Sequence, residues 1–242
     1  MGAAAPRVLF DAGAFGLYVD GANLVRALAA RGVAAASFTR AGLYGSDPLP
    51  EGGVPSPAFH AGDMARLLGA VGAAGPVVLV GHSMASLRLF EFAGRHPQRV
   101  RGLVLVDGVV PDGGPVGPAL TAFSAACAPI TPVLPSMARW AKYYPNAMAL
   151  SGRERADKLA SITSQAHWRA ARREVREAAR AKAPPVPRLP TVLMPATIIS
   201  AGTSRLARRT EASLQELRAW GHASVLSPGP CGAIAEAAHS LL

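Results

Sequence analysis

Several residue types that mark specialised proteins are scarce in this chain of 242 residues. The two cysteines, Cys127 and Cys231, lack CxxC spacing and clustered histidines, so we expect two buried free thiols and no metal site. Aromatic residues make up only 6% and do not alternate with basic residues as nucleic-acid binding requires. Apolar runs such as 77–80 and 197–201 are too short to cross a bilayer, and the N-terminus lacks a secretory signal. We therefore expect a cytoplasmic protein without nucleic-acid or membrane partners.

Positive charge is in excess but unevenly placed. The net charge is +10, and residues 151–190 hold ten basic and four acidic residues, which accounts for six of those charges. A solvated basic face explains such a segment better than a phosphate-binding surface, because no stacking residues accompany the charge.

The order of apolar and amphipathic segments predicts the fold class. Half of the residues are hydrophobic, which is ample for a buried core and excludes disorder. Short apolar runs alternate with segments of helical period, the pattern of a parallel sheet with crossover helices. Predicted strands cover 7–10, 33–38, 76–80, 100–106, 196–200 and 223–226. Predicted helices cover 20–32, 63–71, 84–95, 204–220 and 233–242.

The alternation is interrupted once, between 111 and 190, by helical periods that end in the Pro-rich PPVPRLP. We therefore predict an α/β fold with a mostly parallel central sheet and helices on both faces. Its parts would be a first core segment at 1–110, a helical cap insertion at 111–190 and a second core segment at 191–242.

A serine lies in the turn between the strand at 76–80 and the following helix. In VVLVGHSMASLRLF, Gly81, Ser83 and Ala85 match the G-x-S-x-G pattern of a nucleophile elbow, with Ala in the last position. Such a turn strains the serine at the tip of the sheet, so the residues two positions to either side must be small. Ser83 is our candidate nucleophile, and a glycine-rich turn without catalytic function is the alternative.

At this point the chain resembles the α/β-hydrolase family over nearly its whole length. GPVVLVGHSMASLRLFEFAGRHPQRVRGLVLVDGVVP is similar to the family's stretch from the nucleophile strand to the next strand. VLFDAGAFG resembles its oxyanion loop, and FTRAGLYGSDP its D-R-x-G-x-G-x-S-D segment, with Thr39 where Asp is common. The resemblance implies the α/β-hydrolase fold with its cap, shortened here at both ends to about six strands, and leaves a homo-oligomer open.

The resemblance also implies hydrolysis of an ester or related bond through an acyl-Ser83 intermediate, without a cofactor. A serine hydroxyl needs an imidazole to take its proton, an acid to orient that imidazole, and backbone donors for the developing negative charge. We assign the donors to the amides of Met84 and of Ala14 in the DAGAFG loop. The family usually has His-Gly in this loop, where the chain has Ala12 and Gly13, so we expect altered support of the loop rather than a lost donor.

The acid is predicted in an unusual position. In most of the family it follows the strand after the cap, but IISAGTSR holds no carboxylate there. Some members place it after the preceding strand, where this chain has Asp107 in LVLVDGVVP. Asp107 is our candidate acid, with a turn-capping role as the alternative.

The base is the largest departure from the family pattern. It normally follows the last strand as Gly-His and an apolar residue, and ASVLSPGPCGAIAEAAHSLL contains no such histidine after the predicted strand. Functional groups must reach the carboxyl edge of the sheet. On the predicted elements His96 and His222 lie at the opposite edge, and His239 points away from the site.

Three histidines remain. His82 is fixed beside the nucleophile with its side chain in the packing, and His60 and His167 are geometrically able to act, although a structural role is the simpler expectation for both.

Two functions therefore compete. The first is an esterase-like serine hydrolase for small to medium apolar acyl substrates, bound under a cap that contains six large side chains, Phe123, Met137, Trp140, Tyr143, Tyr144 and Trp168; these side chains would otherwise form the cap's own core. The second is a catalytically impaired protein on the same fold that binds a ligand or partner, because the usual histidine is missing.

Overall fold

The computed structural model describes residues 4–109, 116–137, 143, 145–182, 184–196, 207, 212–217 and 220–242. Within these residues six strands form one sheet in the order β2-β1-β3-β4-β5-β6, and every neighbouring pair is parallel. The strands are β1 (Val8–Asp11), β2 (Ala35–Ser37), β3 (Val77–His82), β4 (Val100–Val106), β5 (Thr191–Met194) and β6 (Ser213–Leu214). The chain order reverses between β1 and β3, the place where parallel sheets open a crevice at their carboxyl edge.

Helices cover both faces of the sheet because successive strand residues point to opposite sides. Val78 and Val80 of β3 pack with α1 (Ala22–Ala29) and α8 (Pro228–His239). Leu79, between them, packs with α2 (Pro57–Ala70) and α3 (Ala85–Arg95) on the other face. The central strands are buried on both faces, which explains their continuous apolar sequence.

In the described residues between β4 and β5 there are four α-helices, which we call the inserted helices. They are α4 (Val116–Ala126), α5 (Pro145–Met148), α6 (Gly152–Thr163) and α7 (Gln165–Arg180). Apolar side chains of α4 and α7 pack against the start of α3, where Met84 and Leu87 contact Leu120, Val175 and Ala178. The inserted helices therefore lie over the Ser83 turn, while the exact cap boundaries at 111–190 stay a prediction.

Most predicted core elements are present with shifted ends. The strand at 100–106 is confirmed without change. Helix α2 begins six residues earlier than predicted, at Pro57, because Ser56 caps it: Phe59 N donates a 3.2 Å hydrogen bond to Ser56 Oγ.

The last third of the core differs more. Thr191–Met194 forms a strand that the sequence did not predict, and the strand expected at 196–200 falls, apart from Ala196, outside the described residues. The helix expected at 204–220 is wrong at Ser213–Leu214, which form β6, although Ala207 is helical and most of 204–211 falls outside the described residues. The strand expected at 223–226 is also wrong, because Ser224–Leu226 form a 3-10 helix.

Other 3-10 turns lie at Tyr18–Gly21, Pro97–Arg99 and Thr131–Met137. Both cysteines are free and buried as expected, and burial raises the pKa of the Cys231 thiol to about 12. A search of the described residues finds no helix long and apolar enough to span a membrane.

The packing of β3 gives a first prediction. Leu79 is fully buried at the centre of the sheet, so Leu79→Ala should lower the free energy of unfolding by about 2–5 kcal/mol. Leu214→Ala, at a site that is 40% exposed on the edge strand, should change it by less than about 0.5 kcal/mol. Urea denaturation of both variants tests this, and equal losses would contradict the assigned core.

Candidate active site

The turn after β3 holds Ser83 in a left-handed backbone conformation, with φ of 56°. Ser83 N donates to Val106 O at 3.0 Å, and Val109 N donates to Ser83 O at 3.1 Å. Ser86 Oγ donates to the same Ser83 oxygen at 2.9 Å. The serine is thus fixed at the carboxyl end of β3, at the start of α3.

Close packing around the turn explains the small residues of the motif. A Cβ on Gly81 would lie 2.6 Å from Leu89 Cδ1 and 3.3 Å from Ala85 Cβ. A side chain at 81 would therefore crowd Leu89 and Ala85, which glycine avoids. The Ala in the last motif position is compatible with the elbow.

The loop after β1 meets the Ser83 turn directly. A Cβ on Gly13 would lie 2.9 Å from Ser83 Cβ and 3.1 Å from His82 Nδ1, so only glycine fits there. The next residue is Ala14. In the described part of the chain no hydrogen-bond acceptor faces the amides of Ala14 and Met84, the two sequence-predicted donors.

Asp107 follows β4 and is fully buried, again with a left-handed backbone, φ of 43°. Its amide donates to Met194 O at 2.8 Å, and its Oδ1 accepts from Ala196 N at 3.0 Å. Both contacts come from the end of β5, the neighbouring strand. Asp107 therefore lies at the carboxyl edge of the sheet, one strand away from Ser83.

The second carboxylate oxygen of Asp107 holds His222, which the sequence had assigned to the opposite edge. His222 Nδ1 donates to Asp107 Oδ2 at 2.6 Å, and the imidazole is 31% exposed. The expectation that His222 lies at the opposite edge of the sheet is therefore wrong. It depended on a strand at 223–226 that does not form, and the signal was Gly221-His222 followed by the apolar Ala223.

His82 connects the serine turn to His222. The two imidazole rings stack with centroids 4.5 Å apart and planes at 35°. Since the carbonyl of His222 only accepts, His82 Nε2–H donates to it, over 3.0 Å. Burial, and secondarily the charge of His222, lowers the pKa of His82 to about 3, so His82 stays neutral at pH 7.

His60 and His167, the two histidines that the sequence left as bases, make other contacts. His167 Nδ1 accepts from Tyr44 N at 3.2 Å, and its Nε2–H donates to Phe15 O at 3.1 Å. Burial lowers its pKa to about 4. His60 Nε2 lies 2.9 Å from Glu174 Oε1, and its ring is buried. His167 therefore connects α7 to the loops at Phe15 and Tyr44, and His60 lies buried beside Glu174.

Beside the site lies a group of buried charges that we call the charge cluster: Asp11, Arg40, Arg88 and Glu174. Arg40 Nη1 donates to Asp11 Oδ1 at 2.9 Å, and Arg88 Nε donates to Asp11 Oδ2 at 2.6 Å. Arg40 also makes two hydrogen bonds to Glu174, of 2.7 and 2.9 Å. All four side chains are at most 2% exposed.

Within the charge cluster, Arg40 and Glu174 stabilise each other's charged forms. Burial alone would lower the pKa of Arg40, but the carboxylates of Glu174 and Asp11 raise it above its ordinary value. Burial alone would raise the pKa of Glu174, but Arg40 and then His60 hold it well below its ordinary value. Two positive and two negative charges therefore compensate each other without water.

The side chains predicted to line a cap pocket are only partly described. The ring of Phe15, in the loop after β1, packs against two of these rings. Its centroid lies 5.9 Å from that of Phe123 and 4.7 Å from that of Trp168. Tyr143 is exposed. Trp140, Tyr144 and the Met137 side chain fall outside the described residues. No three His, Cys, Asp or Glu side chains gather as a metal site among the residues described.

A sequence model of one family matches residues 8–239, nearly the whole chain, and its description is "Alpha/beta hydrolase family". The chain belongs to the alpha/beta hydrolase family. Membership supports a hydrolase that acts on a small molecule. No match is found among curated proteins.

Solved structures agree with this fold assignment. An alpha/beta hydrolase fold protein from Nakamurella multipartita is 22% identical, with TM-score 0.63 over 99% of this chain and 92% of that one. A thermophilic esterase from Thermogutta terrifontis is 21% identical, with TM-score 0.70 over 99% and 91%. The RedJ thioesterase from Streptomyces coelicolor is 20% identical, with TM-score 0.62 over 99% and 91%.

The buried neutral histidines give a prediction for acid stability. His167 binds a proton below pH 6.5 when unfolded but only near pH 4 when folded, so its contribution to stability is present above pH 6.5 and lost as pH falls. His167→Gln, which keeps a donor and an acceptor, should reduce this loss between pH 6.5 and 4.5, by up to about 1.4 kcal/mol per pH unit.

The exposed His239 provides the matched control, since His239→Gln should leave the dependence on pH unchanged. Denaturant titrations at several pH values measure both slopes. A His167→Gln slope equal to that of the unsubstituted protein would contradict the assignment of His167 as a buried neutral side chain.

Proposed function

We propose that this protein is an esterase-like serine hydrolase in which Ser83 is the nucleophile, His222 the base and Asp107 the acid that orients the base. The observation that carries the proposal is the 2.6 Å hydrogen bond between His222 and the buried Asp107 at the same sheet edge as the Ser83 turn. A serine, an imidazole and a carboxylate in this order are the groups that acyl transfer to serine needs.

The tautomer of His222 determines its role. Its Nδ1–H donates to Asp107, so Nε2 carries the free lone pair. Nε2 takes the proton of Ser83 Oγ as that oxygen attacks the substrate carbonyl carbon. The protonated imidazole then gives this proton to the leaving alcohol, and an acyl-Ser83 ester remains. Water, deprotonated by the same nitrogen, cleaves the ester and releases the acid.

Asp107 stabilises the charge that forms on His222. Its carboxylate already accepts hydrogen bonds from His222 and from the Ala196 amide, so it needs no rearrangement when the imidazole becomes positive. A carboxylate after β4 is compatible with this role. Most of the family carries the acid in the segment that corresponds to IISAGTSR, and this chain has no carboxylate there.

Negative charge on the substrate oxygen would be stabilised by the amides of Ala14 and Met84. Gly13 brings the loop after β1 against Ser83, and neither amide has an acceptor in the described residues. Two such donors, fixed before the reaction, stabilise an oxyanion at no reorganisation cost.

The substrate that fits best is an ester or thioester with a small to medium apolar acyl group. Apolar side chains of α4 and α7 cover the start of α3, and the Phe15, Phe123 and Trp168 rings lie together beside the Ala14 loop. Two structural neighbours, described as an esterase and a thioesterase, agree with an acyl substrate.

The competing proposal, a protein that only binds a ligand or partner, loses its main argument. It depended on the absence of a base, and the contact between His222 and Asp107 removes that reason.

Labelling with a fluorophosphonate, read by intact mass, tests the proposal. We expect one adduct on the unsubstituted protein, none on Ser83→Ala, and labelling slowed at least about 10²-fold in His222→Gln, because the serine is then not deprotonated. His239→Gln is the matched control and should label at the normal rate. A folded protein that forms no adduct, or labels equally after Ser83→Ala, would refute the proposal.

The acid has its own test. Asp107→Asn keeps the shape of the side chain but presents an amide to His222, which disfavours the required tautomer. Turnover of a short acyl ester should fall about 10²- to 10⁴-fold with KM nearly unchanged. An unchanged turnover would show that Asp107 only caps its turn.

A further inference from the structure

All five N–H groups of the Arg40 guanidinium donate hydrogen bonds to residues in or beside the loop after β1. Nε and Nη2 donate to Glu174, and Nη1 donates to Asp11. The two remaining N–H groups donate to backbone carbonyls, from Nη1 to Ala12 O at 2.8 Å and from Nη2 to Gly13 O at 3.0 Å. An arginine with every donor engaged is fixed in position.

The contact with Gly13 O bears on the Ala14 amide, because both belong to one peptide unit. In a trans peptide the C=O and the N–H point in opposite directions, and no cis bond occurs in the described chain. A cation at the oxygen end therefore directs the N–H of Ala14 away from Arg40. It also draws electron density from the amide, which makes the N–H a stronger donor.

The other amide of the pair is held in the same way. The carbonyl that shares a peptide unit with Met84 N–H is Ser83 O, and it accepts from Val109 N and from Ser86 Oγ. Both N–H groups thus belong to peptide units whose oxygen is already engaged. The difference is that Ser83 O accepts only from neutral donors among these contacts, whereas Gly13 O accepts from the charged Arg40 as well as from Gly16 N, at 3.2 Å.

Arg40 is in turn held by a residue of the inserted helices. Glu174 on α7 contacts it with both carboxylate oxygens, and His60 Nε2 lies 2.9 Å from Oε1. Because the pair is at most 2% exposed, water cannot replace either partner. The position of Arg40 therefore depends on α7 being packed against the core.

We propose that Arg40 is a positioning residue for the oxyanion donor Ala14, acting through the Gly13 carbonyl, and that Glu174 fixes Arg40 so that the donor is aligned only when α7 is in place. The proposal rests on the function proposed above. It explains how the loop keeps its shape with Ala12 in place of the family's histidine: the guanidinium holds the backbone of the loop directly.

Arg40→Lys is the informative change, since it keeps the charge among Asp11 and Glu174 but loses the planar fork. We expect the rate of Ser83 acylation per active site to fall about 10- to 100-fold, with KM changed less than threefold. Affinity for a trifluoromethyl ketone, which becomes an oxyanion on the serine, should fall in parallel. Glu174→Gln should show the same pattern at about 3- to 10-fold.

The rates are measured per titrated site, from the burst of product, so that loss of folded protein does not count as loss of catalysis. The double variant should lose less than the product of the two single effects, because both act through one carbonyl. The matched control is Arg26→Met, which removes the ion pair with Glu154 between α1 and α6 without touching the loop. It should leave the per-site rate unchanged.

Per-site rates and ketone affinity that are unaffected by both Arg40→Lys and Glu174→Gln would overturn the positioning role while leaving the serine mechanism intact. A raised KM with an unchanged rate of Ser83 acylation would overturn it as well. If the unsubstituted protein shows no Ser83 adduct, the proposed function fails, and this inference fails with it.

Discussion

The ionic contact of Asp11 with Arg40 and Arg88 is the constraint on which the candidate site depends. One carboxylate at the end of β1 accepts from two guanidiniums, one on the loop after β2 and one on α3. Glu174 brings the fourth charge from α7. Residues that are far apart in the chain thus meet in a space without water. Removing any one of them would leave a buried charge uncompensated, which typically costs about 3–5 kcal/mol.

The same charged side chains explain how the loop after β1 keeps its position although it is built from small residues. Ala12 and Gly13 offer no side chains that could anchor the loop, yet their carbonyls accept from the same guanidiniums that neutralise Asp11. The two guanidiniums therefore have two roles. They pair with Asp11 in the core, and they fix the backbone of the loop beside Ser83. A more apolar cluster could stabilise the fold equally well, but it could not hold carbonyl oxygens.

The extent to which the site could be predicted depended on how local its signals are. Ser83 and Asp107 follow long apolar strands, so their position at the carboxyl edge follows from the sequence. His222 was missed because a segment as short as 223–226, with three apolar residues, cannot be assigned to a strand or to other structure by periodicity. Its Gly-His-apolar pattern was readable, but the edge assigned to it relied on the wrong element.

The charge cluster had no local signal at all. Each of Arg88 and Glu174 lies in a helix that also carries exposed or half-buried arginines, and nothing in the spacing distinguishes the buried arginine from the others. The pairs form between residues 29 to 134 positions apart. Only the packing of α3 and α7 against the core determines which charges lose contact with water. The same holds for His60 and His167, whose partners are remote in sequence.

Backbone strain gives an independent view of the same site. Within the described chain three residues other than glycine have positive φ, namely Phe15, Ser83 and Asp107. They follow β1, β3 and β4, the three adjacent strands whose carboxyl ends border the candidate site. Each is held by contacts from elsewhere: Phe15 O by His167, Ser83 O by Val109 N, and Asp107 N by Met194 O.

Such a conformation costs about 1–3 kcal/mol per residue and persists only where the surroundings enforce it. Two of these turns are also tied to neighbouring strands, because Ser83 N donates to Val106 O and Asp107 N donates to Met194 O. Their coincidence with the Ser83–His222–Asp107 arrangement argues that the strain aims the side chains and amides that follow each strand. The inserted helices contribute to this constraint, since His167 of α7 donates to Phe15 O.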